Sequence, residues 1–189
     1  MSTILEVLDG PAPPPLEIGA VAPAFEGLLG VDGAQYALSS FSAARLLVLI
    51  FSSNRCPTVK AYEGRMRAFQ DGYRELGLQL VAINSNSPFL YPDESYPAMI
   101  ERAAEGQYNF PYLADPDQVV GRAYGPQRTF HTYLFDSERT LRYEGRFDDS
   151  RLPERVTSND LQNAVEDLLA GRPVREPKSR PFGCSLDFV

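Results

Sequence analysis

Six consecutive apolar residues, Leu46 to Phe51 (LLVLIF), constrain this chain more than any other feature, because a strand that is apolar at every position needs cover on both faces. The run stops at the polar stretch SSNR. Beyond it, Val59, Tyr62, Met66, Phe69, Tyr73 and Leu76 recur at spacings of three and four, which predicts one stripe of an amphipathic helix closed by Gly77. Leu78 to Ile83 reads as a second buried strand. Strand, helix and strand make a right-handed parallel crossover, with Cys56 at the start of its helix.

The rest of the chain arranges itself around that unit. PAPPP at 11–15 lacks sheet donors, so residues 1–15 are expected to be a tail, 16–172 the domain and 173–189 a second tail, mobile at first, whose apolar end docks. An Asp-Gly pair at 32–33 suggests a hairpin or loop over 31–38. Residues 85–97 read as a loop whose Phe89, Tyr91 and Tyr96 either meet a partner or rim a pocket, or, as the favoured reading, pack beneath it. Helices are expected over 98–105, with Met99, Ile100, Ala103 and Ala104 inward, and after Asp115, which with Gln118 forms a capping signature before Val119, Val120 and Ala123. Residues 132–135 and 140–146 flank the turn DSER as an antiparallel hairpin. Ser158 is expected to cap a last helix with Leu161, Ala164, Val165 and Leu168 inward. The resulting class is α/β, with a central mixed sheet flanked by helices in three layers.

Composition removes several function classes. Acidic residues outnumber basic ones 25 to 18, for a formal charge of -7, and no basic cluster tracks a phosphate backbone, so nucleic acid is not an expected partner. No apolar run is long enough for a membrane span and no leader pattern opens the chain, so cytoplasmic residence is expected. One histidine and two distant cysteines give no metal-ligand spacing, and no glycine-rich phosphate loop follows a strand, so neither metal nor cofactor is expected.

The chemistry concentrates at Cys56. A thiol at a helix N-terminus faces unpaired backbone N–H groups and the positive end of the helix dipole, both of which favour the thiolate. Arg55 and Lys60 add nearby positive charge, and Pro57 suits a first helical turn. The competing reading is a small buried hydrophobe. Cys184 is either a second thiol carried to Cys56 by the fold or a docking residue of the tail.

The segment FSSNRCPTVKAYEGRM after an apolar strand resembles the active-site segment of thioredoxin-like redoxins and AhpC/TSA-type peroxiredoxins, in particular a bacterial subfamily that reads CNHCPYVK there. FGCSLDF near the end resembles that subfamily's closing GC motif, so the likeness runs over nearly the whole chain. The resemblance implies a thioredoxin-like fold and sets Cys56 at the attacking cysteine of the CxxC motif. Val59 stands at the resolving position, which excludes a local dithiol. Ser53 falls on the subfamily's extra cysteine and on the hydroxyl of the peroxiredoxin pattern PxxxTxxC, whose proline is replaced by Leu49. Phe130 occupies the place of a cis-proline or an arginine, so the Thr129–Phe130 peptide is expected to be trans. Arg128 and His131 are read either as neighbours of the thiol or, as the favoured reading, as solvated loop residues.

The expected function is therefore a thiol-dependent oxidoreductase in which Cys56 attacks a disulfide or peroxide substrate and Cys184 or an external thiol reductant restores it. A thioredoxin-fold adaptor that has lost catalysis is the alternative.

Overall fold

The computed structural model describes residues 13–189, so most of the expected tail over 1–15 lies outside the described residues. Seven strands run β1 (Leu28–Gly30), β2 (Gln35–Tyr36), β3 (Leu46–Phe51), β4 (Leu78–Asn84), β5 (Tyr112–Ala114), β6 (Thr132–Phe135) and β7 (Leu141–Gly145). The helices are α1 (Pro57–Arg74), α2 (Tyr96–Glu105), α3 (Val119–Tyr124) and α4 (Asp160–Leu169). The sheet order is β2-β1-β5-β4-β3-β6-β7, parallel across β3–β4 and β4–β5 and antiparallel elsewhere.

Every residue of β3 is buried, and its side chains alternate between two cores as a pleated strand requires. Val48 and Ile50 face α1, α2 and α4, against Val59, Tyr62, Met66, Met99 and Leu161. Leu47, Leu49 and Phe51 face the other way, against Val120 and Tyr124 of α3 and Phe25 and Phe41 of the leading segment. Full burial of one such side chain stabilises by about 1.5–3 kcal/mol, so this strand anchors both layers. The fold is the expected mixed α/β sandwich of helices about a sheet.

Several local expectations are corrected. Helix α1 ends at Arg74, and Leu76 is exposed because the chain has already turned toward Gly77, at φ 83°. Helix α2 begins at Tyr96, which turns Ile100 outward while Met99 and Ala103 stay buried. Asp115 does not start α3; Gln118, at φ 58°, is its N-cap, and the Asp115 carboxylate reaches the Val120 and Gly121 N–H groups instead. Val119 therefore points outward, and Val120 and Tyr124 form the buried side. Asn159 rather than Ser158 precedes α4. Strand β5 has no counterpart in the sequence reading, since three residues are too short to show a period.

The C-terminal segment is held from its start rather than loose. Asp167 on α4 binds the Arg172 and Arg175 guanidiniums and the Arg175 N–H, which together hold its carboxyl down at about 2. Residues 177–179 then lie along the free edge of β7, with Glu144 N–H donating to Pro177 O and Ser179 N–H donating to Glu144 O. Gly145 makes the close approach possible: it sits at φ 147°, and a Cβ there would lie 2.3 Å from Ser179 Oγ and 2.5 Å from Ser179 O. Gly145→Ala is expected to lower stability by about 1–3 kcal/mol in urea unfolding, through backbone strain and displacement of Ser179.

Candidate thiol site

The chain leaves β3 through Ser52, Ser53, Asn54 and Arg55 before α1 begins, and these residues lack a sheet partner for much of their backbone. A buried carboxylate supplies what is missing. Glu94, 3% exposed in the short 3-10 turn Pro92–Glu94, accepts from Asn54 N–H at 2.8 Å, from Asn84 Nδ2 at 2.9 Å and from the Ser53 hydroxyl. Ser53 Oγ in turn accepts the N–H groups of Cys56 at 3.1 Å and Arg55 at 3.2 Å. Asn54 is held further by its side chain, which donates to Asp93 O and accepts from the Tyr112 hydroxyl. Cys56 is thereby fixed as the residue preceding α1, with Pro57 at the first helical position.

Cys56 is only 2% exposed. It belongs to the core cluster with Val59, Tyr62 and Phe130, and Phe182 and Cys184 of the C-terminal segment pack against that cluster. The two thiols come together there: Cys56 and Cys184 line the same small cavity and pack in one apolar cluster at the first turn of α1. Cys56 makes no capping hydrogen bond of its own. Burial first, and then the neighbouring Cys56, push the Cys184 thiol up to about 11. Both cysteines are free.

A small polar cavity of about 130 Å³ opens beside the pair, lined by Ser53, Arg55, Pro57, Asn86, Tyr91 and Glu94 and by Ser185 and Asp187 of the tail. The Arg55 guanidinium lies 4.2 Å from the centre of the Tyr91 ring, and the Tyr91 hydroxyl donates to Asp187 at 2.5 Å. These three residues form the rim. Of the aromatic trio in this loop, Phe89 is 97% exposed, against the expected packing beneath it, and Tyr96 donates to Gly30 O.

The other sequence candidates divide. Lys60 is exposed and does not line the cavity, and only its N–H touches the site, donating to Cys56 O. Arg128 is exposed as well, outside the cavity lining. His131 is fully buried away from the thiols, accepting from Gln127 N–H at Nδ1 and meeting Glu144 at Nε2 2.6 Å away. These bonds place its proton on Nε2, so it pins β6 to β7. Thr129 donates its N–H to Cys184 O, and Phe130 N–H donates to Phe51 O. The Thr129–Phe130 peptide is trans, as expected, and Phe130 takes φ 82° while its ring packs 4.5 Å from Tyr62. Thr129 and Phe130 thus tie the tail to the end of β3 without reaching the cavity.

A family model described as the AhpC/TSA family matches residues 18–144. The chain belongs to the AhpC/TSA family. Two solved structures align over nearly the whole of this AhpC/TSA protein. A hypothetical protein from Sinorhizobium meliloti 1021 is 35% identical, covers 92% of this chain and 96% of its own and has a TM-score of 0.85. An uncharacterized conserved protein from Geobacillus kaustophilus is 36% identical, covering 92% and 93%, with a TM-score of 0.85. A putative thiol:disulfide interchange protein DsbE from Chlorobium tepidum shares the thioredoxin-like fold at 21% identity and a TM-score of 0.68, covering 82% of this chain and 99% of that one. No curated protein matches. Membership supports a thiol-redox role in the broad sense, with thiol substrates and reductants. Among the described residues no helix is long and apolar enough to cross a membrane.

Two predictions follow the geometry. Glu94→Ala orphans buried donors on Asn54, Asn84 and Ser53 at about 1–3 kcal/mol for each unpaired group, and urea unfolding is expected to show a loss several times that of Glu94→Gln, which keeps an acceptor. Cys56→Ser removes the thiol that helps hold the Cys184 proton, so the alkylation profile of Cys184 is expected to move to lower pH, toward the ordinary thiol range, when followed by mass spectrometry.

Proposed function

We propose that this AhpC/TSA protein is a thiol oxidoreductase in which Cys56 is the attacking thiol and Cys184 the resolving one. The observation that carries the reading is the meeting of the chain's two cysteines, far apart in sequence, at the first turn of α1 beside a polar cavity.

The Cys56 thiolate attacks the O–O bond of a peroxide, the leaving oxygen departs as alcohol or water after taking a proton, and Cys56 becomes a sulfenic acid. Cys184 then donates its thiol: an S–S bond forms, the sulfenic S–O bond breaks, and the hydroxyl leaves as water with the Cys184 proton. With a disulfide substrate the first step is thiolate attack on sulfur, giving a mixed disulfide that Cys184 resolves. An external dithiol reduces the Cys56–Cys184 bond in either case. Ser53 and Glu94 hold the loop, Arg55 brings positive charge to the cavity rim, and Pro57 starts the helix. Two free thiols suit a reducing compartment, and we place the protein in the cytoplasm.

The deep burial of Cys56 favours one competing reading, an adaptor without chemistry. Intact-mass analysis after mild hydrogen peroxide, with a sulfenic-acid trap, separates the two. The oxidoreductase is expected to lose two hydrogens as the disulfide forms, Cys184→Ser to accumulate the trapped adduct on Cys56, and Cys56→Ser to give neither. A wild-type protein that stays unmodified under peroxide and under a small-molecule disulfide is the adaptor.

A further inference from the structure

The resolving cysteine sits on a segment that has no strand or helix of its own, so something else fixes its position. Thr129 N–H donates to the Cys184 carbonyl itself, and Gln118 holds the residues that follow. It is 1% exposed, and its carboxamide is fully used: Nε2 donates to Asp187 O at 2.7 Å and Ser85 O at 2.8 Å, while Oε1 accepts from Val189 N–H at 2.7 Å. Its backbone takes φ 58°, a conformation that a residue with a side chain adopts at a cost, to aim that side chain at the tail.

The residues one turn on complete the same face. Gly121 leaves room for Phe188, since a Cβ there would lie 2.9 Å from its ring and 2.8 Å from Ser85 Cβ. Arg122 donates to Val189 O at 2.8 Å and lies 5.4 Å from the centre of the Phe188 ring. Gln118, Gly121 and Arg122 stand at i, i+3 and i+4, the spacing of one helical face. At the other end of the segment Gly183, at φ 151°, brings the chain so near Thr129 O that a Cβ would sit 1.9 Å from it. Cys184 lies between these two anchors, with its own carbonyl accepting from Thr129 N–H, and stands beside Cys56.

We propose that this face of α3 is a receptor for the chain's own C-terminus and that Gln118 is the positioning residue of the resolving step. The proposal rests on the thiol reading above. With the receptor intact, Cys184 stands beside the Cys56 sulfenic acid when it forms, and the condensation to disulfide outruns capture from solution. With the receptor lost, Cys184 becomes one group on a flexible tether, its effective concentration falls, and the sulfenic acid survives long enough to be trapped. The same loss uncovers Cys56.

Gln118→Met keeps the volume and removes all three hydrogen bonds, each of which shifts a docking equilibrium by about two- to tenfold. Treated with hydrogen peroxide and a sulfenic-acid trap, it is expected to raise the ratio of trapped adduct to disulfide by about tenfold or more over wild type, and to raise the iodoacetamide rate of reduced Cys56 in parallel. Arg122→Met, at a partly exposed position, is expected to move both readouts the same way by less, and it decides the question should Gln118→Met fail to fold. Unchanged partition in a folded variant overturns the receptor, because a residue that merely supports the fold alters the unfolding midpoint and leaves this ratio alone. If wild type forms neither disulfide nor adduct, the thiol reading and the receptor both fall; if wild type forms the disulfide and the variants match it, the receptor alone falls.

Discussion

One buried carboxylate holds this architecture to its chemistry. The parallel strands deliver a cysteine to the end of β3, but a strand end is a place where the backbone loses its partners, and five residues, Ser52 to Cys56, must cross it before α1 begins. Glu94 meets the requirement from a turn that follows a different strand, by accepting from one backbone amide, one carboxamide and one hydroxyl at once. Ser53 passes the constraint on to the Cys56 amide. Were that loop free to relax, the thiol would lose its fixed relation to the helix and to Cys184. The central crossover sets where the cysteine is; Glu94 sets how it stands.

What the sequence discloses divides along the line between local and distant causes. The β3 run and the α1 stripe declare themselves because each pattern is contained in the segment that shows it, and both cores can be counted off the alternation of Leu47, Val48, Leu49 and Ile50. Cys56 is legible for the same reason, as a thiol between a strand and a proline. Glu94 is not, since nothing in PDES distinguishes a carboxylate that folds inward from one in water. Gln118 reads as part of a capping box because it stands three residues after Asp115, whereas the tail, arriving from the far end of the chain, claims its side chain. The nearness of Cys184 to Cys56 stays open in the sequence for that reason too: it depends on Gly183 and Thr129 meeting across the fold. Membership of the AhpC/TSA family agrees with the local reading and leaves the distant part to the coordinates.

Phe130 shows how a departure from a family pattern is absorbed. Where the sequence resemblance leads one to expect a proline or an arginine, this chain carries an aromatic ring turned into the core against Tyr62, on a backbone with positive φ. Its amide still closes onto Phe51 O and the preceding amide still reaches Cys184 O.

The segment that crosses β7 has an effect on how copies of the chain meet one another. Pro177 to Ser179 take up the hydrogen-bonding groups that an outermost strand offers to a neighbouring molecule. At the opposite margin β2 presents two residues, too few to seed a ladder. Among the described residues one border of the sheet is covered at Glu144 and the other is very short, two features that discourage strand addition between copies.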